Sequence, residues 1–253
     1  MALPRSVDRG SYYRGYFPAG VKWLLILNTA IFVFWSVTSA DMQVFVRNAF
    51  ALHCQDVFKS GYVWQLFSYL FLHGGIWHLV FNMLTLWMFG TPLEQDWGTR
   101  LFIKYYFICG IGAGLCDISL NAALGRWAFP PTIGASGAIY GLLLAFGYCY
   151  PDQTVLMGFL FPIKAKYMVM IYAAIELWLS LGVNTGVSNI AHLGGMAVGF
   201  VYLRSRTSRR RRIGYRLPDW RGAYRQWKLQ RAKKKFQVYM KKHGGPGGGT
   251  WVN

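Results

Sequence analysis

The chain has 253 residues, of which 54% are hydrophobic, 18% are aromatic and only 14% are charged, and its formal net charge is +18. This balance excludes a disordered chain and argues against a soluble domain, because charged residues are scarce and apolar residues are abundant. We expect an integral membrane protein.

Six apolar segments are candidates to cross a hydrocarbon core about 30 Å thick. In chain order they run from about Val21 to Ala40, Ile76 to Gly90, Leu101 to Leu120, Gly134 to Tyr150, Ala165 to Leu181 and Asn189 to Leu203. Several are short and rich in Gly, Ala and Ser, which is typical of helices that pack closely on one another. The sequence therefore predicts an all-α integral membrane protein, built as a bundle of six transmembrane helices.

The connection between the first two segments, residues 41–72, has an amphipathic stretch. Val44 and Phe45 are followed by the apolar group Ala49 to Leu52, with polar residues between them. A helix with one apolar face lies in the plane of a membrane interface. We expect this first loop to lie in the outer interface.

Basic residues predict the orientation, because cytoplasmic loops keep Lys and Arg. Residues 204–253 contain 16 of the 27 basic residues and a single acid, Asp219. An even number of spans then places both termini in the cytoplasm. The predicted organisation is a cytoplasmic arm over residues 1–20, a six-span core over 21–203 and a basic tail over 204–253. A bacterial cytoplasmic membrane is the expected compartment, with a eukaryotic membrane as the alternative.

The basic tail mixes Trp, Tyr and Phe with Arg and Lys between Trp220 and Lys242. Such a helix binds the surface of anionic lipid. The same residues would also suit nucleic acid, but attraction to phosphate is not specific. We favour the membrane, and expect no nucleic acid partner.

Three spans start with a polar residue. In the predicted topology the second, fourth and sixth segments all run inward, and they begin near His78, Ser136 and His192 respectively. Ionisable groups inside spans are costly and usually face a cavity or a partner. The charge pattern therefore places these three residues at one depth, in the outer part of the bilayer.

Serine and histidine together suit nucleophilic catalysis. A serine hydroxyl is a weak nucleophile until a base takes its proton, and imidazole can accept that proton and return it. No Asp or Glu lies near His192 in sequence, so we expect a dyad of Ser136 and His192 rather than a triad. Tyr140 shares a helical face with Ser136 and would hold the imidazole by stacking, although a core or lipid-facing aromatic is an equal alternative.

Acyl transfer also needs donors for an oxyanion. His78 and Asn82 are four residues apart on one face, and would stabilise it together with the backbone N–H of Ser136; the alternative is a polar pair that links helices. Gly134 and Gly137 would let backbone and substrate approach the nucleophile. The H-x4-H spacing from His73 to His78 has no matching carboxylate or cysteine ligands, so we expect no metal and no cofactor.

Two further features concern the fifth and sixth segments. Gly195 and Gly199 form a G-x3-G pattern, which allows close packing. We expect both to pack on the fourth segment and so bring His192 towards Ser136. Glu176 lies within the fifth segment, where we expect it to face the bundle or the cytoplasmic half and accept hydrogen bonds; the alternative is a direct functional role.

These motifs together resemble the rhomboid family of intramembrane serine proteases, over about residues 64–200. The matching pieces, in order, are Trp64-Gln65, His73-x4-His78-x3-Asn82, Glu94-x3-Gly98-x3-Phe102, Gly134-x-Ser136-Gly137-x2-Tyr140-Gly141 and Ala191-His192-x2-Gly195-x3-Gly199. One departure is Gln65, because the family often has arginine after this tryptophan. The departure weakens inferences about how the first loop is held.

The resemblance implies a six-span helical bundle of rhomboid type, in which Ser136 is the nucleophile, His192 the base, and His78 and Asn82 the oxyanion stabilisers. It implies a hydrolase that performs intramembrane proteolysis on single-pass transmembrane proteins. A rhomboid-like protein that binds client helices without cutting them is the alternative. Such a protein would be expected to lack the serine or the histidine.

Overall fold

The computed structural model describes residues 17–157, 160–181 and 188–214, with side chains up to residue 206. These residues are mostly helical. The α-helices are α1 (Ala19–Val37), α2 (Ala40–Phe50), α3 (Gln65–Ser68), α4 (Ile76–Trp97), α5 (Thr99–Ala123), α6 (Ser136–Cys149), α7 (Ala165–Leu181) and α8 (Asn189–Gly214). A π-helical turn (Asp56–Ser60) and a 3-10 turn (Tyr69–Phe71) lie between α2 and α4.

Each of the six predicted segments is a helix, and all six helices begin within two residues of the predicted position. Within the described ranges, α1 and α5 are long and apolar enough to cross a membrane. A third span is obtained if residues 65–71 and α4, bent by 97°, are taken together. Because α6 has 14 residues and would rise only about 21 Å, the count of six spans stays a prediction.

The first loop contains helix α2; that this helix is amphipathic and lies in the outer interface stays a prediction. None of the residues of α2 is buried. Gln65, which stands where the family often has arginine, is fully buried and ties the loop together. Its side-chain oxygen accepts from the His53 N–H at 3.0 Å, and its amide donates to the Asn48 carbonyl at 3.2 Å.

The connection between α6 and α7 forms a hairpin that the sequence did not predict. Strand β1 (Thr154–Met157) pairs antiparallel with β2 (Phe161–Lys164). Lys164 and Lys166 both form ion pairs with Asp152, at 3.5 and 2.9 Å. Short strands without a run of alternating apolar residues leave little signal in a sequence.

Helix α6 lies within the bundle and has nine buried residues among its 14. Small residues bring its neighbours close. A side chain at Gly141 would meet Cys109 of α5, and one at Gly195 would overlap the Gly137 carbonyl oxygen of α6. The backbones of α6 and α8 therefore touch at Gly137 and Gly195, which is the packing that the sequence predicted for Gly195.

The sequence analysis predicted the wrong packing partner for Gly199. A side chain at Gly199 would meet the Tyr105 hydroxyl and the Cys109 sulfur, both on α5 rather than α6. Residues four apart on a helix differ by about 40° in direction. At a crossing between three helices, that rotation turns the second glycine towards the other neighbour.

Glu94, near the end of α4, binds the start of α1. Its two carboxylate oxygens accept from the N–H groups of Gly20 and Val21, each at 2.7 Å, and Oε1 also accepts from the Thr99 hydroxyl at 2.6 Å. Carboxylates stabilise helix N-termini because the first N–H groups have no partner within the helix.

The chain divides into two units, Met1–Ser205 and Arg206–Asn253. Every contact described below lies within the first unit. The predicted cytoplasmic arm falls mostly, and the predicted interfacial helix of the tail wholly, outside the described residues. The division into arm, core and tail stays a prediction.

Candidate active site

The structure brings Ser136 and His192 into contact. Ser136 is the first residue of α6, and His192 lies in the first turn of α8. The Ser136 Oγ and the His192 Nε2 are 2.7 Å apart, which is hydrogen-bond distance for a hydroxyl and an imidazole. Fifty-six residues separate the two in sequence, so the pair depends on the close packing of α6 on α8.

The ring of Tyr140 stacks on the imidazole of His192. The ring centroids are 4.2 Å apart and the planes differ by 9°. Tyr140 lies one turn after Ser136 on α6, as its spacing predicted. The contact restricts rotation of the His192 side chain, and so keeps Nε2 directed at the serine.

A cavity of about 720 Å³ opens beside this pair. Its lining includes Ser136, His192 and His78, so the three residues lie near one another; their depth in a membrane stays a prediction. The loop of residues 129–133 forms another wall. The cavity is large enough to hold water or part of a peptide chain.

Gly134 has to be glycine for two reasons. Its φ is +115°, a backbone conformation that favours glycine. A side chain there would also lie 2.7 Å from the His78 ring. A backbone hydrogen bond holds the turn in place, because the Gly134 N–H donates to the Tyr69 carbonyl at 2.8 Å. His78 is thereby held against the turn that leads into Ser136.

Asn82 is buried on α4, one turn below His78. Its amide donates to the His78 carbonyl at 2.8 Å. An amide has two N–H donors, so this bond does not use both. Asn82, His78 and Ser136 together line a second cavity of about 450 Å³. The alternative reading, a polar pair linking helices, is not favoured by this bond, which stays within α4.

The second cavity lies between α4, α6 and α7, and runs from Ser136 towards the hairpin. Tyr172 and Met168 of α7 face Thr85 and Met88 of α4 across it, and Leu156 of β1 also lines it. Two cavities therefore meet at the serine: one bounded by the loop of residues 129–133, and one open between α4 and α7.

A buried carboxylate that the sequence analysis missed connects the site to its surroundings. Asp117 of α5 accepts hydrogen bonds from Ser188 at 2.5 Å, from Thr132 at 2.6 Å and from Asn121 at 3.1 Å. Ser188 precedes α8, and its hydroxyl accepts from the Ala191 N–H. Asp117 thus holds the cavity loop and the start of the His192 helix. An acid within the third apolar segment was the available signal.

A second acid, Glu176, lies against His192. The predicted burial is observed, and its Oε1 accepts a short hydrogen bond from the Tyr140 hydroxyl. The same oxygen is 3.0 Å from the His192 Nδ1, which is ion-pair distance, although the alignment is too poor for a regular hydrogen bond. No pattern in the sequence pairs these two residues, which lie 16 positions apart on different helices.

Comparison with known proteins identifies the family. A family model described as the Rhomboid domain matches residues 60–208, more than half of the chain. Three relatives are similar over most of the chain. These are RHOMBOID-like protein 12, mitochondrial, of Arabidopsis thaliana (30% identity over 72% of this chain and 56% of the relative); Rhomboid protein 1, mitochondrial, of Saccharomyces cerevisiae (29%, 76% and 54%); and the Rhomboid protease GluP of Bacillus subtilis (30%, 72% and 34%).

The chain spans about half the length, or less, of these relatives. Two of them are named as mitochondrial and one comes from a bacterium. Because the relatives come from different compartments, they do not support the bacterial cytoplasmic membrane that the sequence analysis predicted. The matched domain and the long apolar helices make this an integral membrane protein. The chain belongs to the rhomboid family.

Proposed function

We propose that the protein is an intramembrane serine endopeptidase that hydrolyses peptide bonds in or near the transmembrane helices of other membrane proteins. The observation that supports this most directly is the 2.7 Å contact between the Ser136 Oγ and the His192 Nε2. A nucleophile and a base in hydrogen-bond contact beside a cavity are the arrangement that covalent acyl transfer requires. The similarity to a protein named as a rhomboid protease supports the same reaction.

In this mechanism His192 is the general base. Its Nε2 takes the hydroxyl proton as the Ser136 Oγ attacks the substrate carbonyl carbon, and the protonated imidazole then donates to the leaving amine. The acyl-enzyme that forms on Ser136 is hydrolysed by water, which His192 activates in the same way. Each proton transfer uses the one nitrogen that faces Ser136.

The oxyanion would form at the start of α6. Ser136 is the first helical residue, and the first N–H groups of a helix have no partner within it. Those groups and the helix dipole favour negative charge there. His78 and Asn82 line the cavity beside Ser136 and would donate to the same oxygen. Gly137 serves helix packing instead of substrate approach, because a side chain there would meet Ala113 of α5.

The proposed substrates are single-pass transmembrane proteins. A transmembrane helix hides its carbonyl groups in hydrogen bonds and has to unwind before attack. The cavity between α4 and α7 would admit the helix from the side, and the 720 Å³ cavity would hold the unwound segment with water. Six spans, cytoplasmic termini and a basic tail on anionic lipid remain parts of this proposal.

The test is covalent labelling and cleavage with the purified full chain in detergent. A serine-directed fluorophosphonate should label the wild type, and a model transmembrane substrate should be cut. Ser136→Ala and His192→Ala should abolish both. Ser180→Ala is the matched control, because the Ser180 hydroxyl bonds only within α7, and it should keep both activities.

An inert wild type that is folded would contradict the proposal. The chain would then be a rhomboid-like protein that binds client helices without cutting them. Folding is checked by the thermal transition, so that an unfolded preparation is not mistaken for an inert one. Labelling of Ser136→Ala would show that a different serine reacts.

A further inference from the structure

The contact with Ser136 determines where the proton of the neutral His192 lies. If Nε2 accepts the serine hydroxyl proton, then Nδ1 must hold the ring proton, because a neutral imidazole has one N–H and one acceptor nitrogen. A buried N–H without an acceptor is costly. The Nδ1 side of His192 therefore needs an acceptor.

Glu176 is positioned to be that acceptor. Its Oε1 lies 3.0 Å from Nδ1 of His192, on the opposite side of the ring from Ser136. The His192 and Glu176 side chains are only 9% and 6% exposed, so water does not screen the attraction between them. When Nε2 takes the serine proton, the positive charge on the imidazole forms next to a carboxylate.

Tyr140 completes the cluster. Its hydroxyl donates to the same Oε1 that faces His192, and its ring stacks on the imidazole. The carboxylate, the phenol and the imidazole thus fix one another's positions. The other oxygen, Oε2, has no hydrogen-bond partner among the described residues. A buried carboxylate oxygen without a hydrogen-bond partner costs folding free energy, so stability alone does not explain a glutamate at this position.

The burial pattern of α7 also singles out this residue. All of α7 is described, and Glu176 is its single buried position after Val169. The neighbours Ile175 and Leu177 are exposed, with Trp178 exposed to 77%. Beyond the partly buried Tyr172 and Ala173, the C-terminal part of α7 therefore has a carboxylate as its buried contact with the bundle.

We propose that Glu176 is a positioning residue of the active site, a third member after Ser136 and His192. It holds the His192 ring in the tautomer and orientation that aim Nε2 at the serine, and it stabilises the imidazolium in the transition state. It stays ionised and exchanges no proton. This inference rests on the proposed protease function.

Glu94 offers a matched control. It is a second buried glutamate, with 2% exposure against 5% for Glu176. Its partners are the start of α1 and Thr99. It lies 16 residues beyond His78 along α4, about 24 Å away along the helix axis. Glu94→Gln and Glu176→Gln therefore make the same chemical change inside and outside the site.

The experiment measures kcat and KM for a transmembrane substrate, the rate of fluorophosphonate labelling and the thermal transition. Glu176→Gln should lower kcat and labelling about 10- to 100-fold with KM within about twofold. The loss should be smaller than the ~10⁴-fold effect of neutralising the acid of a soluble triad, because the contact is poorly aligned. Glu176→Asp, which keeps the charge further away, should be intermediate.

Glu94→Gln should lower the thermal transition and leave kcat of the folded protein unchanged. An equal loss of kcat in both Gln variants would overturn the proposal, as would an unchanged kcat in Glu176→Gln. If Glu176→Gln does not fold, the test uses Glu176→Asp instead. A wild-type kcat in Glu176→Asp would then overturn the proposal. An inert wild type would overturn both the proposed protease function and this inference. An active wild type whose kcat does not change in Glu176→Gln would overturn only this inference.

Discussion

The two flanks of α6 are packed in different ways. Towards α5 and α8 the contacts are made by glycine and small residues, and the backbone of Gly195 touches that of Gly137. Towards α7 the close packing lies near the start of α7, where a side chain at Gly147 would meet Val169, and Tyr172 packs partly buried beside Tyr140. Towards its C-terminal end, α7 is mostly exposed and reaches the site through Glu176.

This difference in packing suggests a different role for each flank of α6. Ser136 and His192 have to stay within hydrogen-bond distance, and backbones in contact leave little room for movement. In the proposed reaction a substrate helix would have to enter, and a helix held by few buried side chains opens at low cost. The α5–α6–α8 flank would therefore fix the chemistry, while the α7 flank would admit the substrate.

The largest effect is expected when the α7 flank is closed. Cysteines at Thr85 of α4 and Tyr172 of α7, which both line the second cavity, would be joined with a flexible bis-maleimide in a background without the native cysteines. Cleavage of a transmembrane substrate should fall by more than about 100-fold, because the helix cannot enter. The fluorophosphonate is small, and its labelling of Ser136 should change less than about threefold.

Each single cysteine variant, treated with the same reagent, serves as the control. Substrate cleavage that survives complete cross-linking would show that substrates enter elsewhere. Loss of labelling together with cleavage would show that the cross-link distorts the site, and that the two flanks are not independent.

On the rigid flank, Gly195→Ala should have the next largest effect. The new methyl group would overlap the Gly137 carbonyl, which is backbone and cannot turn aside. Displacing His192 by about 1 Å costs on the order of 100-fold in rate, so labelling of Ser136 should fall by about that factor. Ala197→Val adds bulk to an exposed position of the same helix and should label normally.

Gly199→Val should reduce labelling less, by roughly tenfold, through overpacking against α5. The nearest atom is the hydroxyl of Tyr105, a side chain that can shift, and this hydroxyl also donates to the Gly141 carbonyl. Adding Tyr105→Phe removes the clashing atom and should restore part of the labelling. Wild-type labelling in Gly199→Val would contradict this packing. So would a double variant that labels no better than Gly199→Val.

The sequence predicted the parts that depend on local pattern. Apolar runs indicated the helices, and the one-turn spacing of Ser136 and Tyr140 predicted a shared face that the structure contains. The spacing of Gly195 on α8 predicted close packing on α6, which is observed. These features follow from helix periodicity and from the small size of glycine.

Other parts depended on how the helices cross. Nothing in the chain order indicates that Gly199 turns to α5, that Asp117 joins α5 to the start of α8, or that Glu176 reaches His192. The sequence by itself determined which residues can do acyl-transfer chemistry and which faces they share. Only the tertiary structure decided which acid lies beside the base, because the distance between side chains on separate helices is set by packing, and no single segment contains that information.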